Sequence, residues 1–289
     1  MKIKRVGTYL TGFKYYNYKN GDEITDENKI SDIKKLKIPP CYNNVVIINN
    51  KKIVGYGYDS KGRKQVIYNS KYIEEQNKKK YDKIERYDKF FIKIKKHISK
   101  DLKSDDEKNK IIAIIITLIL TCGFRIGNKK YEQQNKSYGI TTLNYSHIKL
   151  FVKNGNNCVL FDFVGKKGVR NTAICKNKHV YDYLSRKVNN INSKTNNYIF
   201  EFNNKRISSD DVNNYLMDKL KVNITTKDLR TWNANNLFSK FLHKCKNEKN
   251  PIKKAIELTS HELHNTSNVC KKSYIDPKII ERAARQLAV

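Results

Sequence analysis

The sequence predicts an α+β protein in which a small β-rich amino-terminal domain precedes a larger, mainly α-helical domain. Residues 1–75 contain short stretches of alternating apolar and polar residues separated by turn residues, a pattern typical of strands. From residue 87 onward, most apolar residues recur with the helical period. One exception, residues 160–164 and 170–174 around the sequence GKKG, predicts a β-hairpin within the helical domain.

The β-rich region is predicted to hold short strands joined by turns. Alternation predicts strands at residues 4–10, 45–48, 52–58 and 65–68. The pair Asn49-Asn50 and the stretch DSKGRK are rich in turn-forming residues and separate these strands. Together they predict a small, mostly β unit.

Helical periodicity organises the rest of the chain. The predicted helices cover residues 87–98, 105–122, 180–188, 209–220, 227–245 and 251–264. The charged stretch EEQNKKKYDKIERYD has few core residues and suits either a linker or an exposed helix joining two lobes. We therefore expect a β-rich domain at 1–75, a charged linker at 76–88 and a second domain at 89–289.

The net charge predicts a polyanionic partner. Lysine and arginine number 59 against 28 aspartate and glutamate residues, which gives a formal charge of +31 spread along the 289 residues. A positive field of this size speeds the capture of nucleic acid. The alternative explanation is AT-rich coding, because Lys, Asn, Ile and Tyr are all abundant. Such coding should deplete arginine, so a retained arginine is more informative than a lysine.

Several protein classes are disfavoured. Six cysteines without a CxxC pair predict reduced thiols in an intracellular protein and no structural zinc site. The amino terminus lacks a secretory signal, and the apolar run 111–122 is about half the ~20 residues that a membrane span needs, so it predicts a buried helix. The chain has no Walker or GxGxxG sequence, and HELH at 261–264 lacks the HExxH spacing. We therefore expect no membrane association, nucleotide cofactor or metal.

Tyr274 is the candidate nucleophile. It follows Lys271 and Lys272 in the segment HNTSNVCKKSYIDP. A tyrosine hydroxyl has an ordinary pKa of about 10, and it attacks a phosphodiester only if nearby cations favour the phenolate and the charge that builds on phosphorus. Most tyrosines simply pack their rings, so this role requires partners elsewhere in the chain.

Arg125, Lys166 and Arg230 are the candidate partners. Arginine can hold two phosphate oxygens at once, and its charge does not titrate away. Arg125 follows the predicted apolar helix, and Arg230 lies near a predicted helix start in KDLRTWNANN. Lys166 lies at the tip of the predicted hairpin, where a lysine can protonate a departing 5′ hydroxyl. The order Arg, Lys, Arg, Tyr along the chain indicates this chemistry more specifically than any one of the four residues does.

This order and the surrounding motifs resemble the small type IB DNA topoisomerases of poxviruses, giant viruses and bacteria over nearly the whole chain. The matching segments are KIPPCYNNVVI, GYDSKGRKQVIY, TLNYSHI, FVGKKG and KDLRTWNAN. The resemblance implies that Tyr274 is the nucleophile, that Arg125 and Arg230 are catalytic cations, and that Lys166 is the general acid. It also implies a further phosphate contact by Lys227, and a fold of the type IB topoisomerase and tyrosine recombinase kind.

The fifth catalytic position is open between two residues. Poxvirus members have a histidine nine residues before the tyrosine, where this chain has Asn265 and bacterial members also have asparagine. An asparagine side chain can donate the same hydrogen bond to a phosphate oxygen. His264 is the competitor, although on a helix a one-residue offset would turn it about 100° away. We therefore favour Asn265.

The first lobe of these relatives lies along the duplex, and the DSKGRK turn with its following strand is the expected contact region here. The expected DNA-binding residues in this lobe are Arg63, Lys64, Gln65 and Tyr68. Arginine and glutamine can read base edges, whereas lysine serves mainly as a phosphate anchor. In the second domain, Lys271 and Lys272 are expected to guide the tyrosine segment onto the DNA backbone.

The resemblance implies an intracellular monomer that relaxes supercoiled double-stranded DNA through a transient 3′-phosphotyrosyl link, without ATP or an essential metal. It would work in a virion or viral factory if the source is a virus, and in the cytoplasm if it is a bacterium. One alternative is a tyrosine recombinase, which usually has a helical amino-terminal domain and a histidine where this chain has Lys227. Another is a non-enzymatic basic DNA-binding protein, which explains the charge but not the ordered residues.

Overall fold

The chain folds into two compact units. The computed structural model describes residues 2–189 and 198–287, and its contacts separate Met1–Tyr81 from Asp82–Val289. The predicted second domain also contains 190–197 and 288–289, which lie outside the described residues. The predicted α+β class is confirmed, since the first unit is rich in strands and the second is mainly helical.

The first unit is built on a five-stranded antiparallel sheet in the order β2-β1-β3-β4-β5. Its elements are β1 (Ile3–Thr8), β2 (Gly12–Asn17), α1 (Glu27–Lys35), β3 (Asn43–Ile47), β4 (Ile53–Tyr58), β5 (Lys64–Tyr68) and most of α2 (Ser70–Arg86). The predicted strands correspond to β1, β3, β4 and β5, whereas β2 and α1 are additional. The segment 76–88, expected as a linker or an exposed helix, is helical as far as Arg86.

The core of the first unit lies between α1 and one face of the sheet. Val45 and Ile47 on β3 and Tyr15 on β2 are buried, and Ile33 of α1 packs with them. Alternate residues of a strand point to opposite faces, so this single apolar series covers one side of the sheet. Asp26 caps α1 by accepting hydrogen bonds from amides of its first turn.

The second unit combines a helical body with a three-stranded antiparallel sheet in the order β6-β7-β8. Its elements after α2 are α3 (Asp88–Asp101), α4 (Glu107–Thr121), α5 (Lys129–Asn135), β6 (Ile148–Lys153), β7 (Asn156–Val164), β8 (Arg170–Cys175), α6 (Lys178–Asn189), β9 (Glu201–Phe202), β10 (Lys205–Arg206), α7 (Ser209–Leu220), α8 (Thr226–Lys244), α9 (Pro251–Glu262), α10 (Ser267–Ser273) and α11 (Pro277–Leu287). The predicted helices are α3, α4, α6, α7, α8 and α9, and β7–β8 confirms the predicted hairpin. The sequence pattern did not predict β6, α5, α10 or α11.

Helix α4 is central to the second unit. Residues 111–119 are all buried, and α4 packs against α3, α7 and α8. The apolar run is therefore a buried core helix, as predicted. Within the described part of the chain, no helix is both long enough and apolar enough to cross a membrane.

Helix α8 is held by polar contacts to α4 and α3. The Nδ2 of Asn233 donates to the carbonyl oxygen of Leu120 at 2.9 Å, and the indole Nε1 of Trp232 donates to Asp88 at 2.6 Å. The Trp232 ring also stacks on Phe91. These contacts fix the rotation of α8 about its axis, and with it the side chains that α8 presents to the interior.

Candidate active site

Arg125 is positioned by the close approach of two helix ends. Beyond α4, Gly123 has a φ of +61°, and a Cβ at this position would lie 2.0 Å from the carbonyl oxygen of Glu262 at the end of α9. Glycine alone tolerates both the left-handed backbone and the contact. Two residues later, the carbonyl of Arg125 accepts a hydrogen bond from the Ile140 amide at 2.9 Å. The backbone of Arg125 is therefore fixed, and its side chain is half-buried.

Arg230 begins the second turn of α8 and is almost completely buried, with 4% of its surface exposed. A capping box between Thr225 and Asp228 fixes the start of the helix. The Nη2 of Arg230 donates to the Leu263 carbonyl, whereas its Nε and Nη1 have no hydrogen-bond partner among the described residues. Burial lowers the pKa of Arg230 to about 10, so the guanidinium remains charged at neutral pH.

Tyr274 lies at the end of α10 with its ring beside Arg230. The Cζ of Arg230 is 5.2 Å from the ring centroid. Burial alone would raise the pKa of the Tyr274 hydroxyl, but the charges of Arg230 and Arg125 outweigh burial, and the pKa is lowered from its ordinary value. Two guanidinium groups therefore favour the phenolate of Tyr274.

Asn265 contacts Arg125 in the turn between α9 and α10. The Nη2 of Arg125 donates to the Oδ1 of Asn265, and the Asn265 amide donates to the Ser260 carbonyl at 2.9 Å. The Nδ2 of Asn265 is buried and has no partner within the described ranges. Arg125, Arg230, Asn265 and Tyr274 are thus linked by these contacts and charges into one group, here termed the tyrosine cluster.

His264 bonds and stacks with residues outside the tyrosine cluster. Its Nε2 lies 2.9 Å from the carbonyl oxygen of Cys122, and its ring stacks on Phe124 with centroids 5.1 Å apart. Burial lowers the pKa of His264. The expectation that His264 and Asn265 share a helix is wrong, because α9 ends at Glu262 and His264 adopts a left-handed φ of 49°. The turn, rather than a helical offset, separates the two side chains.

Three donor atoms of the tyrosine cluster, Nε and Nη1 of Arg230 and Nδ2 of Asn265, are buried without a partner in the described chain. A buried unpaired donor costs about 1–3 kcal/mol, and more when it is charged. Such groups are rare in folded proteins unless a ligand or water completes them. A group with several oxygen acceptors and negative charge, such as a phosphodiester, satisfies both the unpaired donors and the two arginines.

Lys166 lies at the tip of the β7–β8 hairpin. It begins a single 3₁₀ turn that is closed by Lys167 and Gly168, both with positive φ. Its side chain is exposed and makes no hydrogen bond, ion pair or ring contact with any described residue. Below the tip, Arg170 donates to Asp162 through Nε at 2.7 Å, which joins the two strands. The predicted general acid is therefore not bonded to the predicted nucleophile in this structure.

The other cations predicted in the second domain are exposed. Lys227 is in the first turn of α8, three residues before Arg230, so the two residues lie on neighbouring parts of the same helix face. Lys271 and Lys272 are in the last turn of α10, shortly before Tyr274. Throughout the described residues, no group of three or more His, Cys, Asp or Glu side chains is arranged to hold a metal ion.

In the first unit, the residues predicted to contact DNA divide into two kinds. Arg63 and Gln65 are engaged by Asp59, whose carboxylate accepts from Nε of Arg63 at 2.9 Å and Nε2 of Gln65 at 3.0 Å. The hydrogen bond from Arg63 lowers the pKa of Asp59 to about 2. Lys64 and Tyr68 are instead exposed on the other face of β5. Only this second pair is available for a ligand without breaking an existing contact with Asp59.

Sequence analysis missed Asn235, which bonds to the main chain of Tyr274 and Asp276. The Nδ2 of Asn235 on α8 donates to the carbonyl of Tyr274 at 3.2 Å, and its Oδ1 accepts from the amide of Asp276 at 2.8 Å. Asparagine is abundant throughout this chain, and Asn235 is one of three in the stretch NANN. Its position within the motif KDLRTWNANN, which also holds Arg230, is the signal that could have selected it.

Comparison with known proteins finds DNA topoisomerases among the relatives of this chain. The family model of the catalytic core of eukaryotic DNA topoisomerase I matches residues 69–287. The DNA topoisomerase 1B of Acanthamoeba polyphaga mimivirus is 31% identical, and the match covers 91% of this chain and 82% of that protein. The DNA topoisomerase I of Monkeypox virus is 25% identical over 91% of this chain and 88% of its own length.

Among solved structures, the XerH site-specific recombinase in its post-cleavage complex with a palindromic difH substrate aligns with a TM-score of 0.42. The alignment has 15% identity and covers 71% of this chain and 52% of the recombinase. The sequence matches to the two viral topoisomerases each extend over about nine-tenths of the chain. By its sequence, the chain belongs to the family of type IB DNA topoisomerases.

Proposed function

We propose that Tyr274 is the nucleophile with which this type IB topoisomerase cleaves one strand of duplex DNA. The enzyme relaxes supercoiled DNA, and the reaction requires a phosphodiester to be attacked and later restored. The observation that supports the assignment is the tyrosine cluster itself. Its two guanidinium groups lower the pKa of the Tyr274 hydroxyl, and three of its buried donors have no partner in the described chain.

Each side chain of the site has a separate proposed role in the cleavage step. The Oη of Tyr274 forms a bond to phosphorus while the bond from phosphorus to O5′ breaks, which leaves a 3′-phosphotyrosyl link. The phenol proton passes to solvent. Arg125, Arg230 and the Nδ2 of Asn265 donate to the non-bridging oxygens as charge builds on them. We expect Lys227 to add a further phosphate contact from the exposed start of α8.

Lys166 is proposed as the general acid. A 5′ alkoxide is a poor leaving group, so a proton must reach O5′ as the bond breaks. Lys166 is exposed at the hairpin tip and unattached to other described residues, so it can approach O5′ without breaking an existing bond. In the reverse step the neutral lysine takes the proton back from the 5′ hydroxyl, which attacks phosphorus and releases Tyr274. The phosphotyrosyl link conserves the bond energy, so ATP is not needed, and the lysine and the two arginines take the place of a metal.

The first unit is proposed to clamp the duplex. Lys64 and Tyr68, exposed on the same face of β5, are the residues best placed for contact, whereas Arg63 and Gln65 would have to exchange Asp59 for DNA. Lys271 and Lys272 would steer α10 onto the phosphate backbone. We further propose that the enzyme acts as a monomer wherever its DNA is held, in a virion or viral factory for a viral source and in the cytoplasm for a bacterial one.

The test is relaxation of supercoiled plasmid in EDTA without ATP, comparing the wild-type protein with Tyr274→Phe and with Tyr9→Phe as a control. Tyr9 is 78% exposed in the first unit, so its change tests the loss of a hydroxyl away from the cluster. We expect wild type and Tyr9→Phe to relax the plasmid and Tyr274→Phe to be inactive. No relaxation by the wild type would exclude the proposed reaction, and activity in Tyr274→Phe would exclude this nucleophile.

A further inference from the structure

Asn171 is a buried polar residue beneath the hairpin tip that carries Lys166. It lies on β8 directly opposite Phe163 of β7, and only 2% of its surface is exposed. Phe163 belongs to the main apolar core of the second unit. Burying an amide in such surroundings is unfavourable unless hydrogen bonds satisfy it. The contacts that Asn171 makes therefore indicate its role.

The amide of Asn171 braces the turn at the tip. Its Nδ2 donates to the carbonyl of Val169 at 2.8 Å. The same carbonyl accepts a hydrogen bond from the main-chain amide of Gly165 at 2.7 Å, which closes the turn that contains Lys166. One oxygen at the end of the turn is thus bonded both to its start and to the buried side chain below.

Gly165 makes room for this amide. A Cβ at position 165 would lie 2.2 Å from the Nδ2 of Asn171, which is far inside the distance that two such atoms tolerate. The φ of Gly165 is −94°, a value that other residues also adopt. The close approach, rather than the backbone conformation, therefore requires glycine here. The side chain of Asn171 packs directly on the residue that precedes Lys166.

The rest of the turn is held less firmly. Within it, the Gly168 amide donates to the Gly165 carbonyl at 3.1 Å, and the Val169 amide lies 3.5 Å from the carbonyl of Lys166. Lys167 has a left-handed φ of 63°, which is unfavourable for a residue with a Cβ. The two bonds to the Val169 carbonyl are shorter, so they are the contacts best suited to fix the conformation of the turn.

We propose that Asn171 is a positioning residue for proton donation, which holds the tip turn in the conformation from which Lys166 reaches the O5′ leaving group. This inference rests on the proposed role of Lys166 as the general acid. A proton donor must lie within hydrogen-bonding distance of the atom that it protonates. A displacement of about 1 Å at a reacting group can lower a rate on the order of 100-fold.

Asn233 offers a matched control outside the hairpin. It is also a buried asparagine, with 9% of its surface exposed, and its Nδ2 also donates to a main-chain carbonyl, that of Leu120. Asn233→Ala and Asn171→Ala therefore remove the same kind of hydrogen bond and the same volume from the interior. Only Asn171 contacts the turn that contains Lys166.

The first experiment measures single-turnover cleavage of two duplexes, one with the natural O5′ and one with sulfur in its place, together with the thermal midpoint of each variant. A thiolate leaves without protonation, so a defect confined to proton donation disappears on the sulfur duplex. We expect Asn171→Ala to be about 10- to 100-fold slower than wild type on the oxygen duplex and within about threefold of it on the sulfur duplex.

Asn233→Ala should show the same fold-loss on both duplexes, whatever its size, because its contact is not linked to the proton donor. An Asn171→Ala variant that loses the same factor on both duplexes would have a structural role only. That result, or an oxygen-duplex rate equal to the wild-type rate, would overturn the proposal.

The second experiment disturbs the same contact from the other side. Gly165→Ala forces a methyl group against the Asn171 amide, so it should also slow cleavage of the oxygen duplex and recover on the sulfur duplex. Because Asn171→Ala removes the clash, adding Gly165→Ala to it should change the rate by no more than about threefold. Two losses that multiply in full would overturn the proposal. Recovery of Gly165→Ala on sulfur remains a test even if Asn171→Ala does not fold.

Wild type and Lys166→Ala are included in the same assay. A slow Lys166→Ala variant that sulfur does not restore would reject the proposed general acid. If sulfur restores Lys166→Ala while Asn171→Ala cleaves the oxygen duplex at the wild-type rate, only the role of Asn171 is rejected.

Discussion

The tyrosine cluster and the tip of the β7–β8 hairpin carry complementary parts of one proposed reaction. The two regions differ in the burial and in the bonding of their side chains. Arg230 is 4% exposed and bonded to the Leu263 carbonyl, and Arg125 is bonded to Asn265. Lys166 is exposed and makes no bond to any described residue through its side chain. The groups proposed to meet negative charge are assembled together, whereas the group proposed to donate a proton is on a surface turn.

The difference follows from what each role requires. Stabilisation of charge on phosphorus is strongest when donors are already oriented in a water-poor site, and the protein then bears the cost of burying them. A proton donor must instead meet a leaving group that exists only when DNA is bound. Changes at the two regions should therefore have different effects on stability, which the following variants measure.

Lys166→Ala is expected to give the largest effect on rate with the smallest effect on folding. Loss of a general acid should slow cleavage by about 10²- to 10⁴-fold, and the exposed, unbonded side chain contributes little to stability. Lys167→Asn is the matched control, because Lys167 is the exposed neighbour and asparagine tolerates its left-handed backbone. A Lys167→Asn variant as slow as Lys166→Ala would show that the turn, and not the lysine, is required.

Arg230→Met is expected to lose activity without losing stability. Removing a preoriented donor should slow cleavage by about 10²- to 10³-fold. It also removes a buried charge with two unpaired donors, so the free energy of unfolding should be unchanged or increase by about 1 kcal/mol. Single-turnover cleavage and urea denaturation measure the two quantities. Strong destabilisation with retained cleavage would show that Arg230 has a structural role and no catalytic one.

Asn265→Ala is expected to affect mainly the cleavage rate, and His264→Ala mainly the stability. Asn265→Ala removes a donor of the tyrosine cluster and should slow cleavage by about tenfold or more. His264→Ala removes a ring that packs on Phe124 and bonds the Cys122 carbonyl, so it should lower the free energy of unfolding by about 1–2 kcal/mol with a smaller effect on cleavage. The reverse order of single-turnover rates would make His264 the fifth catalytic residue.

The smallest expected effect is a pH dependence of stability caused by Tyr274. Its folded-state pKa is lowered, whereas in the unfolded chain it is about 10. Ionisation therefore stabilises the folded state most above pH ~10, and this contribution is lost as pH falls through the folded-state pKa. The stability of wild type relative to Tyr274→Phe should rise as pH increases towards about 10 in urea denaturation. A difference that falls with pH would contradict the influence of the two arginines.

Much of the fold could be predicted from the sequence because its elements carry strong periodic signals. The apolar run of α4 and the alternation around the β7–β8 hairpin are examples. Short elements gave weaker signals, since α1 is a nine-residue helix dominated by polar residues and α10 has only seven residues. The alternation in IKLFVK would have indicated β6, so this strand was predictable in principle.

The members of the candidate site could be predicted by residue type, but their contacts could not. Arg125 and Asn265 are 140 residues apart in sequence, and only tertiary packing brings them together. The periodic pattern extended the helix before Asn265 to residue 264, but α9 ends at Glu262. His264 there adopts a left-handed backbone, and the Leu263 carbonyl bonds to Arg230 instead of a helical amide. A side chain from another helix thus binds a carbonyl at the end of α9, and the periodic pattern of α9 alone does not encode this contact.

The division of labour between the tyrosine cluster and the hairpin tip is tested most directly by replacing the bridging O5′ with sulfur at a mapped cleavage site. A thiolate leaves without protonation, so a variant that lacks only the general acid should recover. We predict that Lys166→Ala cleaves the sulfur-containing duplex within about tenfold of the wild-type rate, whereas Arg230→Met remains at least about 100-fold slower. Recovery of both variants, or of neither, would contradict the separation of proton donation from charge stabilisation.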